Sequence, residues 1–226
     1  MPAEISVIIP TLDDERDLPT CLEALMEGLP VGLIRELIVT DGGSSDATRQ
    51  MADEAGARVL VGTPSRGGQL RRAGQVARGR WLLVLDATTA PDPGWSEAVA
   101  AHVANSQSPA CFRLGFQGRG AAAALVAGWA NLRTRLFGLP LGQQGLLVRR
   151  SDYDAAGGFP DQPRLEDVAL VQALKRHGAG RPVLLAVAAR AAVPPRLRKG
   201  GLRNLWIQAR CMFGADPERL AAAARR

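Results

Sequence analysis

Apolar and polar positions along this chain group into blocks that predict strands and helices in turn. Ile5-Ser6-Val7-Ile8-Ile9 reads as a buried strand stopped by Pro10. The stretch after Asp17 reads as a helix, with Pro19 near its first turn and Leu18, Leu22 and Leu25 on one face. A second strand is expected over 36–40 and a third over 58–61. Between them the turn Gly42-Gly43-Ser44-Ser45-Asp46 caps a helix through about Ala55, with Gly56 as its stop. A loop over 63–68 leads to a helix that carries Gln69, Arg71 and Arg72 and ends by Gly79. The apolar run Trp81-Leu82-Leu83-Val84-Leu85 then delivers Asp86. Right-handed crossovers make this β-α-β-α-β-α-β order a parallel sheet. The second half is less regular. Helices are expected near 94–103, over 122–136 and from about Leu165 to Gly178, strands over 110–116 and 145–148, and a further apolar run over 183–187. The tail Arg196-Leu197-Arg198-Lys199-Gly200-Gly201 is basic, and the stretch 202–213 after it is amphipathic, with Leu202, Leu205, Trp206 and Met212 as apolar positions.

Two acids stand where buried strands should surface. Asp41 ends Leu37-Ile38-Val39-Thr40, and Asp86 ends the fourth strand. In open α/β sheets ligands sit at that edge. The reading is a single α/β domain with a mostly parallel central sheet flanked by helices: a nucleotide-binding half over 1–90, an acceptor and catalytic half over 91–195, and a basic, then amphipathic, tail over 196–226.

Composition narrows the function. A 226-residue chain with 46% hydrophobic and 22% charged residues suits one soluble globular core. Its net charge of +6 comes mostly from arginine, which suits bidentate phosphate contacts. The arginines are dispersed and aromatics make up only 4%, which argues against nucleic acid as a partner. Cys21, Cys111 and Cys211 are far apart and form no C-x-x-C pair, so neither a disulfide framework nor a zinc site is indicated and a reducing cytoplasm is expected. The first residues lead straight into a strand without a signal core. The longest uncharged stretch, 120–132, is short of the roughly 20 apolar residues that cross a bilayer, so membrane contact is expected to be peripheral at most. There is no G-x-G-x-x-G after the first strand, no G-x-x-x-x-G-K-S/T and no serine-nucleophile signature. His102 and His177 stand alone. Carboxylates and arginines remain as the chemical vocabulary.

Those residues carry a resemblance. Ile8-Ile9-Pro10-Thr11-Leu12-Asp13-Asp14-Glu15 resembles the opening of family-2 glycosyltransferases, and Asp41-Gly42-Gly43-Ser44-Ser45-Asp46-Ala47-Thr48 resembles their second-strand motif. Arg66-Gly67-Gly68-Gln69-Leu70, the strand ending at Asp86, Leu139-Pro140-Leu141-Gly142-Gln143-Gln144-Gly145 and the pair Glu166-Asp167 follow in family order. The region from Asn131 to Arg150 most resembles a bacterial branch named for arsenosugar biosynthesis. The resemblance implies a GT-A, Rossmann-type fold and an inverting hexosyltransferase that moves a sugar from a nucleoside-diphosphate sugar to an acceptor hydroxyl. It places Pro10, Thr11, Glu15, Asp41, Arg66, Gln69, Arg71 and Asp86 at the nucleotide sugar, with Asp41 accepting from an imino N–H such as that of uracil, so that a uridine-diphosphate sugar is the favoured donor. Gln143, Gln144 and Gly145 fall to the acceptor or sugar, and Asp167, with Glu166, supplies the general base. One departure touches the metal. The family writes Asp-x-Asp after the fourth strand and the closest branch writes His-Ala-Asp, whereas this chain has Asp86-Ala87-Thr88. A manganese or magnesium ion would keep only Asp86 as a charged ligand. Arg66, Arg71 and the tail residues Arg196, Arg198 and Lys199 could instead neutralise the leaving diphosphate. The same departure keeps an alternative open, a catalytically silent nucleotide-sugar-binding protein of the same fold.

Overall fold

A computed structural model describes residues 4–118, 120–162 and 165–192. The expected strands appear as β1 (Ile5–Thr11), β2 (Ile34–Asp41), β3 (Arg58–Val61) and β4 (Trp81–Val84), separated by α1 (Leu18–Leu25), α2 (Thr48–Glu54) and α3 (Arg66–Val76). All pair in parallel, in the order β3-β2-β1-β4. Every residue of β1 is buried, the mark of a strand covered on both faces. Pro10 does not stop β1. At that position only β2 flanks the strand, because the pairing with β4 ends at Ile8, so the missing N–H leaves no gap in a ladder.

The second half contributes α4 (Trp95–Asn105), β6 (Ala110–Phe116), α5 (Ala121–Phe137), β7 (Leu146–Arg149), α6 (Arg150–Ala155), α7 (Glu166–Arg176) and β8 (Val183–Ala191), after a short strand β5 (Thr89–Pro91). These complete one eight-stranded sheet, β3-β2-β1-β4-β7-β6-β8-β5. The parallel run breaks at β7, which is antiparallel to β4 and β6, and β5 is antiparallel to β8. Leu85 to Thr88 must therefore join β4 to a strand four places away. Flat strands spaced about 4.8 Å apart would put roughly 19 Å between them, beyond the reach of five residue steps that include a tight turn, in which the Thr89 amide donates to Asp86 O at 2.9 Å. The sheet must curl, and β5 comes to lie against α1. Asp86 sits in this short connection.

Two apolar layers cover the sheet. One packs Leu18, Cys21, Trp95 and Val99 against β1 and β4, and the other packs Leu70, Phe159, Leu170 and Leu174 against the opposite face. Glu27 fixes the start of α4 by accepting from the amides of Gly94 and Ser96, both at 2.9 Å.

Candidate active site

At the carboxyl edge of the parallel strands, Thr11 and Asp41 are register partners. Asp41 is fully buried. One carboxylate oxygen accepts from the amides of Gly43 (2.9 Å) and Ser44 (2.8 Å), and the other accepts from the hydroxyls of Thr11 (3.1 Å) and Ser44. Burial pushes its carboxyl up, but the bonds from Ser44, Gly43 and Thr11 outweigh that and hold it below the usual range. A carboxylate offers about four acceptor positions, and the chain fills them all. Asp41 thus shapes the turn beneath the crevice, and a base could bond to it only by displacing one of these donors. Gln69 has a similar task. Its amide nitrogen donates to Thr11 O (2.8 Å) and Thr40 O (2.7 Å), tying the ends of β1 and β2 together.

The loop after β1 locks onto the start of α2. Asp13, at a left-handed φ of 54°, accepts from the Ser45 amide at 2.8 Å. Glu15 donates its amide to Asp46 (3.1 Å) and accepts from the Ala47 amide (3.2 Å), so its side chain caps α2. Asp14 is the acid that sequence reasoning passed over. Burial raises its carboxyl against the pull of the Leu12 amide, and the charges of Asp86, Asp17 and Asp46 add to the rise.

The second half reaches the crevice through Arg66, the first residue of α3. Its guanidinium bridges Asp86 at 3.4 Å and Glu166, a hundred positions beyond Arg66, at 2.7 Å. Burial pulls its pKa down, but the charges of Asp86, Glu166 and Asp167 together outweigh that and raise it. Glu166 and Asp167 open α7 behind Leu165, a non-glycine residue at φ 61°. Glu166 is 3% exposed; burial first, then the charge of Asp167, push its carboxyl up to about 7 against the pull of Arg66. Asp167 is less enclosed. One of its oxygens takes the Val168 amide at 2.8 Å, leaving the other toward Gly142. At Gly142 a β-carbon would lie 3.2 Å from Arg66 and 3.5 Å from Asp167, so the chain passes directly over the cluster. Arg66, Gly142, Glu166 and Asp167 line one side of a small cavity closed by Leu70, Val84 and Phe159.

Not every expected residue joins this group. Arg71 lies five residues beyond Arg66, about 140° around the helix, and its charge acts on Tyr153, away from Asp86. Gln144 is fully buried and internally committed: it accepts from Thr134 (3.0 Å) and the Leu141 amide (2.9 Å) and donates to Phe112 O (3.1 Å). Gly145, at φ 63°, is required because a β-carbon would meet Leu85 at 2.9 Å. Of that trio only Gln143, half-buried, keeps a side chain for a ligand. Arg196, Arg198 and Lys199 lie outside the described residues; the last described residue, Ala192, donates its amide to Thr88 O at 3.0 Å.

A divalent cation meets a poor donor set. Asp86 is already paired with Arg66, Thr88 contributes a hydroxyl that donates to Asp86 at 3.3 Å, and among the described residues no three Asp, Glu, His or Cys side chains converge on a metal position. Hard cations take charged oxygen donors. These residues do not fit a metal centre built by the chain.

The family model for glycosyl transferase family 2 matches residues 6–120, the segment that carries β1 to β6 and Asp41, Arg66 and Asp86. The chain belongs to glycosyl transferase family 2. A glucosyl-3-phosphoglycerate synthase from Mycolicibacterium paratuberculosis is 35% identical over 91 residues, 36% of this chain and only 27% of that protein's length. Among solved structures, the family-2 chain is similar to the Mycobacterium tuberculosis glucosyl-3-phosphoglycerate synthase in complex with Mn2+, uridine diphosphate and phosphoglyceric acid, with a TM-score of 0.66 at 20% identity over 94% of this chain and 79% of that one. It is also similar to S. aureus TarS 1–349, with a TM-score of 0.64 at 18% identity over 84% and 60% of the two chains. These likenesses establish a mixed α/β fold of GT-A type around the curled sheet.

Proposed function

We propose that this family-2 chain transfers a sugar, with inversion, from a nucleoside-diphosphate sugar to an acceptor hydroxyl. Uridine diphosphate is the favoured donor nucleotide, which the structurally similar glucosyl-3-phosphoglycerate synthase binds, and a hexose is the favoured sugar; residues 131–150 resemble the arsenosugar-type branch of the family. The observation that carries the proposal is the Arg66 bridge between Asp86 and Glu166 beside Asp167, at the edge where open α/β sheets bind ligands. In the reaction the free oxygen of Asp167 takes the acceptor proton as the acceptor oxygen bonds to the anomeric carbon. The bond from that carbon to the diphosphate oxygen breaks, and its electrons leave with the diphosphate. A positioned base of this kind contributes roughly 10²- to 10⁴-fold. Glu166, buried and bonded to Arg66, positions the guanidinium and does not meet the acceptor. Because Arg66 is already shared by two carboxylates, further positive charge is needed for the diphosphate. Arg196 follows the Thr88-bound Ala192 by four residues, a reach of at most about 14 Å, which supports Arg196, Arg198 and Lys199 in that role.

The test is a thermal-shift series with uridine and adenosine diphosphates and their sugars, followed by transfer and donor-hydrolysis assays on whichever donor binds. Stabilisation by a uridine-diphosphate sugar together with turnover supports the reading. Binding without transfer or hydrolysis would instead identify a silent nucleotide-sugar-binding protein, which the loss of the family's acid at Thr88 makes a specific rival.

A further inference from the structure

The outward face of α5 is apolar where a solvated helix should be polar. Leu125, Trp129, Leu132 and Leu136 are 74%, 42%, 46% and 54% exposed, and spacings of four, three and four residues place them in one stripe. Arg135 is the one polar residue among the exposed, described positions of the helix; the others are apolar, alanine or glycine. The opposite side, with Ala130, already packs on Leu114 and Phe116 of β6. The polar residues Asn131 and Thr134 are turned inward, bonded to Leu114 and Ala130, so the apolar stripe is what the helix shows at the surface, and such a stripe is at home in a core or against lipid.

Charge selects the occupant. From Glu97 to Asp152 the sequence contains no intervening acid. Arg135 borders the stripe, while Lys175 and Arg181 donate to the carbonyls of Phe137 (2.5 Å) and Leu136 (3.2 Å) at its end. None of these three cations takes part in the ion pairs formed among the described residues. The chain's own terminal segment does not complement this rim, since residues 193–226 hold eight of the 28 basic residues and two of the 22 acidic ones, and with them the whole net charge. A second copy docked through a two-fold axis would set the cations Arg135, Lys175 and Arg181 against their own copies. An apolar stripe with a tryptophan and a cationic rim is complementary to the headgroup–acyl boundary of an anionic bilayer. We propose that α5 docks the protein in the plane of an anionic lipid bilayer, its leucines and Trp129 in the boundary and Arg135, Lys175 and Arg181 on lipid phosphates. No described helix is long and apolar enough to cross a membrane.

The experiment is co-sedimentation of the full chain with vesicles of phosphatidylcholine alone or enriched in phosphatidylglycerol, with neither donor nor acceptor present, so that the result is independent of the transfer reaction. The protein is expected to bind the anionic vesicles and to lose binding as salt rises. Trp129→Glu with Leu132→Glu should weaken binding by about tenfold or more, because burial of these side chains supplies the apolar contribution. Arg135→Glu with Arg181→Glu should reduce it mainly at low salt. All four positions are exposed or half-buried, and an unchanged thermal midpoint will show that the variants fold. Three results would each overturn the proposal: no binding to anionic vesicles; binding unaffected by either pair of substitutions, which would move the contact to another segment; or a dimer in solution that the stripe variants convert to monomer, which would make the face a contact between copies.

Discussion

Glu166→Gln tests the centre of the site through stability alone. Glu166 is 3% exposed and its carboxyl is pushed up to about 7 by burial and Asp167, from 4.5 in the unfolded chain. A carboxyl with a raised folded pKa favours the fold while protonated, and that contribution is lost as pH rises through the folded value. Between pH 5 and pH 8 the wild-type protein should lose about 2 to 3 kcal/mol from this group, an order-of-magnitude figure from a shift of roughly 1.4 kcal/mol per unit. Glutamine keeps the size and an acceptor for Arg66 at the 2.7 Å contact but does not titrate. It therefore stands in for the protonated acid at every pH, so the two proteins should be similarly stable near pH 5 while Glu166→Gln is favoured near pH 8, where the wild type has lost that contribution. Urea unfolding at both pH values reads the difference directly, since every other group is common to the pair. Parallel profiles for the two proteins would refute the reasoning and show that Glu166 is ionised throughout, held by Arg66.

Three further outcomes are expected. Asp167→Asn should lower turnover by roughly 10² to 10⁴ with donor affinity unchanged, measured by steady-state transfer and donor titration; near-normal turnover returns the pair to the opening of α7. Thr88→Asp should strengthen manganese binding several-fold by calorimetry, because it adds a charged oxygen beside Asp86; tight binding by the unmodified protein that survives Asp86→Ala places the ion elsewhere. Asp41→Ala should cost about 3 kcal/mol or more, because it leaves the donors of Thr11, Gly43 and Ser44 without their acceptor. It should also flatten the acid limb of stability, since a lowered carboxyl pKa stabilises above the unfolded value of 3.8 and that gain is lost as pH falls through the lower folded one. An unaltered acid limb would mean that Asp41 is not held as described.

The parts of this site legible in the sequence were those written as breaks in an apolar run. Asp41 and Asp86 stand out because an acid ends a strand that is otherwise buried, and the edge of the sheet follows from that. Direction was not legible: Leu146 to Arg149 reads as a strand either way, and only its pairing with β4 makes it antiparallel. β5, with three residues, is too short to leave a periodicity. Polar residues within motifs were harder still. Gln69 and Gln144 stand in motifs that promise ligands, yet their amides hold backbone carbonyls, and sequence alone does not tell an amide aimed inward from one aimed at a substrate. Arg66 and Arg71 belong to one motif, yet the loop expected over 63–68 hid that Arg66 already opens α3, which turns Arg71 about 140° away from it. The stripe on α5 escaped notice because an alanine- and leucine-rich helix reads as buried on every side.

The strand order also fixes when the crevice can exist. β1 to β4 find their parallel partners among themselves, so this part of the sheet assembles from neighbours in the chain. Arg66 waits for Glu166, β4 for β7, and β5 for the far end of β8. Closing loops of this length is entropically costly and slow. On a chain made from its amino end, Asp86 therefore emerges long before the residues that enclose it. The crevice is completed only after Glu166 and Asp167 have followed and reached Arg66, and until then the strand edge at Asp86 has no such carboxylates beside it.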